Sequence, residues 1–283
     1  MPVVTLVIFG AGEIAAATAR QLAAANMARH IVMVDAAAAV AEGKALDMSQ
    51  ASAVDRYDTR LSGTADESAV VSASIVVVAD RVGEGGEWSE ESGVALVQRI
   101  ARMNTSAPIV CAGVRQRSLI DRGVHEIGLP RTRLFGTAPE ALRGAVASLV
   151  ALEADAGPRD LSMLVLGRPP HDVIVPWDTA SIAGRRAIDV LAPPVITRIE
   201  NRIPPLWPPG PMTLGCAAAR VIRSAILRSP ATHVLEIALT RDEGGAGRAA
   251  MLPARVGPSG LVGIERPPLS SRDRVRLDST LAR

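Results

Sequence analysis

The first half of the chain alternates short, continuous apolar runs with longer amphipathic segments. Continuous runs of Val, Ile and Leu are typical of parallel strands buried on both faces, and residues 75–79 are the clearest example. We predict strands at 3–9, 31–34, 59–63, 74–79, 108–112 and 132–136, and helices at 13–26, 38–50, 88–104 and 115–127. This alternation predicts an α/β fold, a doubly wound and mostly parallel sheet with crossover helices.

The pattern changes after about residue 137, where strands cluster together and proline becomes frequent. We predict helices at 138–155, 212–228 and 271–282, strands at 161–166, 233–240, 249–256 and 260–264, and a proline-rich stretch at 168–176. Clustered strands followed by a helix favour an α+β arrangement with an antiparallel sheet. We therefore expect two domains, a dinucleotide-binding domain at 1–137 and an α+β substrate-type domain at 138–283.

A glycine-rich turn follows the first apolar run. Gly10 permits a tight turn, and Gly12 lets the backbone approach a pyrophosphate without an intervening side chain. Ala15 stands where a third glycine is usual and is small enough for close packing of the helix on the strand. The next helix begins at Glu13 and Ile14, whose N–H groups and positive helix-dipole end face the phosphates.

An acid, Asp35, ends the second apolar run. A carboxylate at this place can accept hydrogen bonds from the ribose hydroxyls of adenosine, and its charge would repel a 2′-phosphate. Strand, glycine turn, helix, strand and terminal acid together predict a Rossmann unit that binds NAD. The alternative is a unit that keeps its glycines only for packing.

Composition narrows the possible partners. The 283 residues are 48% hydrophobic and carry a net charge of +2, with basic residues scattered singly, so no nucleic-acid patch is indicated. No apolar run is long enough for a membrane span, and the first residues lack the features of a signal peptide, so we expect a cytoplasmic protein. Cys111 and Cys216 lie far apart and indicate neither a disulfide framework nor a metal site.

Several further runs carry a family resemblance. They are Gly-Lys-Ala-Leu-Asp at 43–47, Gly-Leu-Pro-Arg-Thr-Arg at 128–133, and Leu-Val-Leu-Gly at 164–167 leading to Asp172. With the glycine turn and Asp35, they resemble the malate/lactate dehydrogenase family over nearly the whole chain. The resemblance implies hydride transfer between a 2-hydroxy acid and NAD, and a homo-oligomer (dimer or tetramer) formed through helices that include 38–50.

In this family, an arginine binds the substrate carboxylate, and a histidine oriented by an aspartate exchanges a proton with the substrate oxygen. A mobile loop adds another arginine and excludes water. The corresponding loop here, residues 80–90, is glycine-rich and acidic, with Glu84, Glu87 and Glu90. We expect that it does not close over an anionic substrate, because its charge has the wrong sign.

The resemblance carries three candidate catalytic residues to this chain. Glu140 and Arg143 stand for the aspartate and arginine of the family's Asp-x-x-Arg, and His171 stands one position from the histidine site, which holds Pro170. One step along an extended segment reverses a side chain's direction, although the proline pair could restore its aim. His171 could therefore pair with Glu140, or it could be a surface residue. Arg81, Arg115 and Arg117 could supply replacement positive charge, or could simply face solvent.

The sequence leaves two classes of function open. One is an NAD-binding relative in which ordinary malate or lactate turnover is weak or lost. The other is an active NAD-dependent oxidoreductase that uses a rebuilt site on a different 2-hydroxy or 2-oxo acid. The residues expected to bind the cofactor are largely present, whereas the catalytic residues of the family are largely replaced. This contrast is what distinguishes the two classes of function.

Overall fold

The computed structural model describes residues 4–83, 86–240 and 248–282. Its strands are β1 (Thr5–Phe9), β2 (His30–Val34), β3 (Arg60–Thr64), β4 (Ile75–Val78), β5 (Ile109–Cys111), β6 (Leu134–Gly136), β7 (Leu161–Ser162), β8 (Leu166–Arg168), β9 (Asp172–Ile174), β10 (Ser181–Ile182), β11 (Arg185–Arg186), β12 (Thr232–Ala238), β13 (Ala249–Gly257) and β14 (Gly260–Ile264). Its α-helices are α1 (Glu13–Ala24), α2 (Ala38–Asp55), α3 (Glu90–Met103), α4 (Arg117–His125), α5 (Ala138–Glu153), α6 (Ala187–Val190), α7 (Pro193–Arg202), α8 (Pro211–Leu227) and α9 (Ser271–Ala282).

The first six strands form a parallel sheet in the order β3-β2-β1-β4-β5-β6. This is the doubly wound order of the nucleotide-binding folds, with the strand order reversing between β1 and β4. Helices α1 and α2 cover one face together with α8, and α3 and α4 cover the other. The predicted fold class is therefore confirmed.

The same sheet continues into the second half of the chain. Strand β12 pairs antiparallel with β6 and with β13, and β13 pairs antiparallel with β8 and β14. The predicted antiparallel sheet is thus present, and it joins the parallel one edge to edge. Whether 1–137 and 138–283 behave as separate domains stays a prediction.

The predicted strand at 161–166 is wrong in detail. The chain forms β7 at its start and β8 at its end, with irregular backbone between them. Strand β7 pairs with β10 in a small three-stranded sheet, whereas β8 pairs with β13 in the main sheet. The segment crosses between two sheets, and its mostly apolar sequence gives no sign of such a crossing.

No helix among the described residues combines the length and the apolar character that a membrane crossing requires. The long helices are amphipathic or alanine-rich and pack against the sheet. Helix α1 is an example: Gly12 precedes it, Glu13 lies in its first turn, and the small apolar face of Ile14, Ala15 and Leu22 is buried.

Candidate functional site

The glycine turn lies at the carboxyl end of β1, beside the point where the strand order reverses. Gly10 adopts φ +119°, a conformation that favours glycine, and its N–H donates to the carbonyl of Val34 at 2.7 Å. A Cβ atom at Gly10 would overlap the backbone of Asp80. The turn therefore needs glycine here both for its backbone shape and for the close approach of the β4 end.

Asp35 is buried at the end of β2 and organises this edge of the sheet. Its Oδ2 accepts hydrogen bonds from the backbone N–H groups of Ala11 (3.0 Å) and Val82 (3.1 Å), and its Oδ1 accepts from that of Ala37 (2.9 Å). The predicted ribose-binding acid is therefore next to the glycine turn. It also holds the turn and the loop after β4 together.

Lys44 helps to hold the glycine turn in place, a role that residue spacing alone does not indicate. From α2, its Nζ donates to the carbonyls of Ala11 at 2.6 Å and Gly12 at 3.3 Å. The Gly-Lys-Ala-Leu-Asp run, which the sequence supplies only as a resemblance, thus anchors the second crossover helix to the glycine turn.

Asp80, at the end of β4, occupies the N-terminus of α1. Its carboxylate accepts from the N–H of Ile14 (Oδ2, 3.1 Å) and from the N–H of Ala15 (Oδ1, 2.9 Å). A Cβ atom at Gly12 would overlap this carboxylate. The ribose end of the site therefore fits a dinucleotide, whereas a side chain of the protein itself lies where the pyrophosphate is expected.

Glu87 makes a parallel contact at the neighbouring strand. Its Oε2 accepts from the N–H of Arg115 at 2.7 Å and lies against Gly113, in the turn that follows β5. Burial raises the pKa of Glu87, and the charge of Asp80 adds to this effect, against the lowering by backbone hydrogen bonds. The described part of the acidic loop is folded against the sheet edge, with Asp80 and Glu87 joined by an antiparallel bridge.

Glu140 and Arg143 form a buried ion pair on α5. Arg143 donates Nε to Oε2 of Glu140 at 2.9 Å and Nη2 to Oε1 at 2.6 Å. Glu140 also faces His233 of β12 (Nδ1 to Oε1, 3.3 Å) and accepts from the N–H of Val234 at 3.0 Å. Burial alone would raise the pKa of Glu140, but the hydrogen bonds from His233 and Arg143 outweigh it and lower the pKa to about 2.

His171 is exposed and lies elsewhere. It lines a cavity of about 140 Å³ with Glu200 and Arg276. Among the described residues, the hydrogen-bond and ion-pair partners of the Glu140 carboxylate do not include His171. The structure thus brings two of the three candidate catalytic residues together and leaves the third apart. Their catalytic roles stay predictions.

A pocket of about 440 Å³ opens between the turn after β5 and the turn after β8. Four arginines line it, Arg115, Arg117, Arg168 and Arg248. Arg117 is held by Glu236 (Nε to Oε1, 2.7 Å), whereas Nε and Nη2 of Arg168 are buried and have no hydrogen-bond partner among the described residues. Burial lowers the pKa of Arg168, and the neighbouring charges of Arg248 and Arg117 act in the same direction.

The three arginines suggested as replacement charges therefore lie in two different places. Arg115 and Arg117 face this pocket, while Arg81 lies over the ring of Trp88 at 4.6 Å. The structure adds Arg168 and Arg248 to the lining of this pocket. Arg168 follows Gly167 of the family-like Leu-Val-Leu-Gly run, so the sequence does indicate that it lies beside the site. No sequence signal indicates the position of Arg248.

Residues 4–85 match the sequence model of the lactate/malate dehydrogenase NAD-binding domain. The chain is 26% identical to a malate dehydrogenase of Thioalkalivibrio sulfidiphilus over 294 residues, covering 98% of this chain and 96% of the relative. It is also 26% identical to a malate dehydrogenase of Methanosarcina mazei over 208 residues, covering 70% of this chain and 67% of the relative.

Two solved structures share the fold along almost the entire chain. The malate dehydrogenase of Salinibacter ruber superposes with a TM-score of 0.85 at 20% identity, covering 98% of this chain and 93% of the other. The minor L-lactate dehydrogenase of Enterococcus mundtii gives a TM-score of 0.85 at 16% identity, covering 99% and 96%.

The doubly wound sheet, its glycine turn and the acid after β2 define a dinucleotide-binding protein of the Rossmann class. The matching domain is an NAD-binding domain, so NAD is the cofactor of this class of site, as the sequence predicts. Residues 4–85 thus match the lactate/malate dehydrogenase NAD-binding domain, and nearly the whole chain is similar to malate and lactate dehydrogenases.

Proposed function

We propose that this chain is an NAD(H)-binding member of the family in which ordinary malate or lactate turnover is weak or lost. One observation carries the proposal: the position of the proton-exchanging histidine holds Pro170, and the neighbouring His171 lies apart from Glu140 and Arg143. A general base or acid must reach the substrate oxygen within hydrogen-bond distance, directly or through one water. His171 does not share a pocket with the buried ion pair.

The ion pair itself supports the same proposal. Arg143 donates from Nε and Nη2 to Glu140, whose carboxylate is nearly inaccessible to solvent. An arginine that holds a substrate carboxylate needs a free fork of N–H groups. Loss of a positioned proton donor and of a charge-stabilising group each costs on the order of a hundredfold or more in rate.

A second candidate function is reduction of a different 2-oxo acid at a rebuilt site. The arginine-lined pocket favours it, because the unpartnered nitrogens of Arg168 would gain hydrogen bonds from an anion. In this case the substrate carboxylate is held by arginines from the turns after β5 and β8 rather than by α5.

One experiment separates the two candidates. NADH is mixed with oxaloacetate, pyruvate and a panel of larger and more highly charged 2-oxo acids, and NADH oxidation is followed by absorbance. The first candidate predicts calorimetric binding of NADH without significant turnover of oxaloacetate or pyruvate. Turnover of either at a rate typical of enzymes would contradict it.

Variants decide which groups act if another acid is reduced. The rebuilt site predicts that Arg168→Ala abolishes the activity while NADH binding is retained, and that Arg185→Ala, an exposed arginine of β11, changes nothing. Collapse in both Arg143→Ala and His171→Ala would instead support the residues carried over from the family. Retention in all of these variants would exclude both assignments.

We further propose that the protein is cytoplasmic and forms a homo-oligomer, at least a dimer. The support for assembly is the exposure of apolar side chains on α2, the helix that family members use for association. Val40 and Leu46 are exposed on it, whereas Met48, which the sequence also suggested for contact, is buried in the fold.

A further inference from the structure

The N-terminus of α1 already holds an anion, and that anion belongs to the chain. The Asp80 carboxylate accepts from the N–H groups of Ile14 and Ala15 at 3.1 and 2.9 Å. Free N–H groups at a helix N-terminus and the positive dipole end are what attract the pyrophosphate of a dinucleotide. The Asp80 carboxylate occupies these N–H groups when no dinucleotide is bound.

The Asp80 side chain fills the space beside Gly12 as well as accepting the hydrogen bonds of the helix N-terminus. A single Cβ atom added at Gly12 would overlap the carboxylate carbon and both of its oxygens. The glycine that normally lets a pyrophosphate approach the backbone here admits an aspartate side chain. The backbone of Asp80 is held separately, because its carbonyl accepts from the N–H of Gly12 at 2.9 Å.

We infer that Asp80 is an internal substitute for the cofactor pyrophosphate, so that NAD binds only when this side chain rotates out of the glycine turn. The inference rests on the proposed NAD-binding function of this same site. Because the main chain of Asp80 is anchored independently, rotation of the side chain alone clears the turn, and the fold is kept.

Charge makes the displacement harder. Asp35 and Glu87 lie at the same edge of the sheet as Asp80, and Lys44 directs its ammonium at the carbonyls of Ala11 and Gly12. A diphosphate that enters must displace one carboxylate and then lie beside two others. The affinity of the wild-type protein for a dinucleotide is therefore lowered at the phosphates and retained at the adenosine.

The test compares two ligands that differ at the phosphates. ADP-ribose and adenosine are titrated calorimetrically into the wild type, Asp80→Ala and Asp80→Asn. Asp66→Ala is the matched control, since Asp66 similarly accepts from a backbone N–H, that of Ser68, at the start of a short helix in the same half of the chain. We expect Asp80→Ala to bind ADP-ribose at least tenfold more tightly than the wild type, Asp80→Asn to be intermediate, and Asp66→Ala to equal the wild type.

Adenosine should bind equally to all four proteins, because its subsite does not include the phosphates. Equal or weaker binding of ADP-ribose by Asp80→Ala, with adenosine binding intact, would overturn the role of Asp80 and leave the proposed NAD site standing. Failure of every protein to bind either ligand would overturn both.

Amide hydrogen exchange gives an independent measurement on the same proteins without ligand. In the wild type the amides of Ile14 and Ala15 should be protected by the carboxylate. In Asp80→Ala they should exchange faster, and ADP-ribose should restore the protection. Unchanged exchange at these two amides in Asp80→Ala would contradict the inference even if that variant were less stable.

Discussion

Asp35 combines the predicted role of ribose-binding acid with a structural one, and both bear on what its substitution should do. Its carboxylate accepts hydrogen bonds from three backbone N–H groups that fix the glycine turn and its neighbours. Charge at this position opposes a 2′-phosphate, whereas the hydrogen bonds maintain the shape of the site.

We predict that NAD(H) binds more tightly than NADP(H), and that Asp35→Ala weakens NAD(H) binding and reduces the discrimination. Asp35→Asn keeps one acceptor oxygen, so it should lose discrimination with a smaller fall in melting temperature. Titration of NADH and NADPH, in the wild type and in an Asp80→Ala background, measures both effects. Equal or tighter NADPH binding by the wild type would count against the prediction.

Glu140 should act as a pH-dependent stabiliser. Its pKa falls from 4.5 to about 2 on folding, against the effect of burial, because of His233 and Arg143. A lowered folded-state pKa stabilises the protein above the unfolded pKa, and this contribution disappears as the pH falls from about 4.5 to about 2.

Glu140→Gln should therefore cost about 3 kcal/mol of unfolding free energy near neutral pH, because it also leaves the buried Arg143 without its ionic partner. The cost should shrink as the pH falls through this window. Denaturant unfolding at several pH values measures it. Glu153 lies on the same helix as Glu140, and Glu153→Gln removes its surface ion pairs with Arg198 and Arg202 of α7, so this control should change stability much less than Glu140→Gln. A loss of unfolding free energy in Glu140→Gln that does not change with pH would contradict this prediction.

Local spacing predicted the glycine turn and Asp35, because their roles arise from a single strand-turn-helix unit. The positions of Asp80 and Glu87 in the cofactor site depend on contacts between segments far apart in the chain, with separations of 66 residues for Ile14–Asp80 and 28 for Arg115–Glu87. Glu140 also contacts His233, which lies 93 residues away on β12, and residue spacing does not indicate that these two residues meet. The parts of the site that one continuous segment forms could thus be predicted. The parts that depend on contacts between distant segments could not.

The elements of the parallel sheet were predictable for a physical reason. A strand covered on both faces must be apolar throughout, and β1, β2, β4 and β5 carry that signal. Strands β7, β9, β10 and β11 have two or three residues each and carry too little pattern to detect. Helix α7 was also missed, although Pro193 at its start and Arg202 in its last turn are typical end signals.

Helices α1 and α8 pack closely enough to require a glycine at the contact. A Cβ atom on Gly215 of α8 would crowd Ala17, the N–H of Thr18 and the carbonyl of Ile14 on α1. The helix that follows the glycine turn is therefore positioned by a residue of the second half of the chain.

We predict that Gly215→Val destabilises the protein by roughly 1–3 kcal/mol through overpacking. Gly144→Ala is the matched control, because Gly144 lies within α5 with open space around it, and it should be neutral or stabilising by about 0.5–1 kcal/mol. Thermal unfolding followed by circular dichroism compares the two. Equal melting temperatures for Gly215→Val and the wild type would refute close packing at this contact.

At the scale of the whole molecule, the exposed apolar positions of α2 bear on assembly. Leu46 is 60% exposed and Val40 40% exposed on the helix that family members use for association. An isolated exposed leucine is ordinary on a protein surface, so only a measurement of mass decides between an interface and a solvated face.

We predict at least a dimer by light scattering at micromolar concentration, and a shift toward the monomer for Leu46→Glu, because a buried carboxylate at an apolar interface is unfavourable. Leu152→Glu, a comparably exposed leucine on α5, should not shift the mass. A monomer mass for the wild type would contradict the proposed assembly.

The single sheet that spans both halves has a consequence for the order of folding. Strand β12 adds to β6, and α8 covers α1, yet the ribosome delivers α1 first and α8 long afterwards. Closing such long loops is entropically costly, and topologies rich in distant contacts fold slowly. During synthesis the alanine-rich face of α1 is therefore uncovered until residues 211–227 emerge. A nascent chain stalled before that point should remain sensitive to protease and depend on a chaperone, and the completed chain should gain resistance in one step.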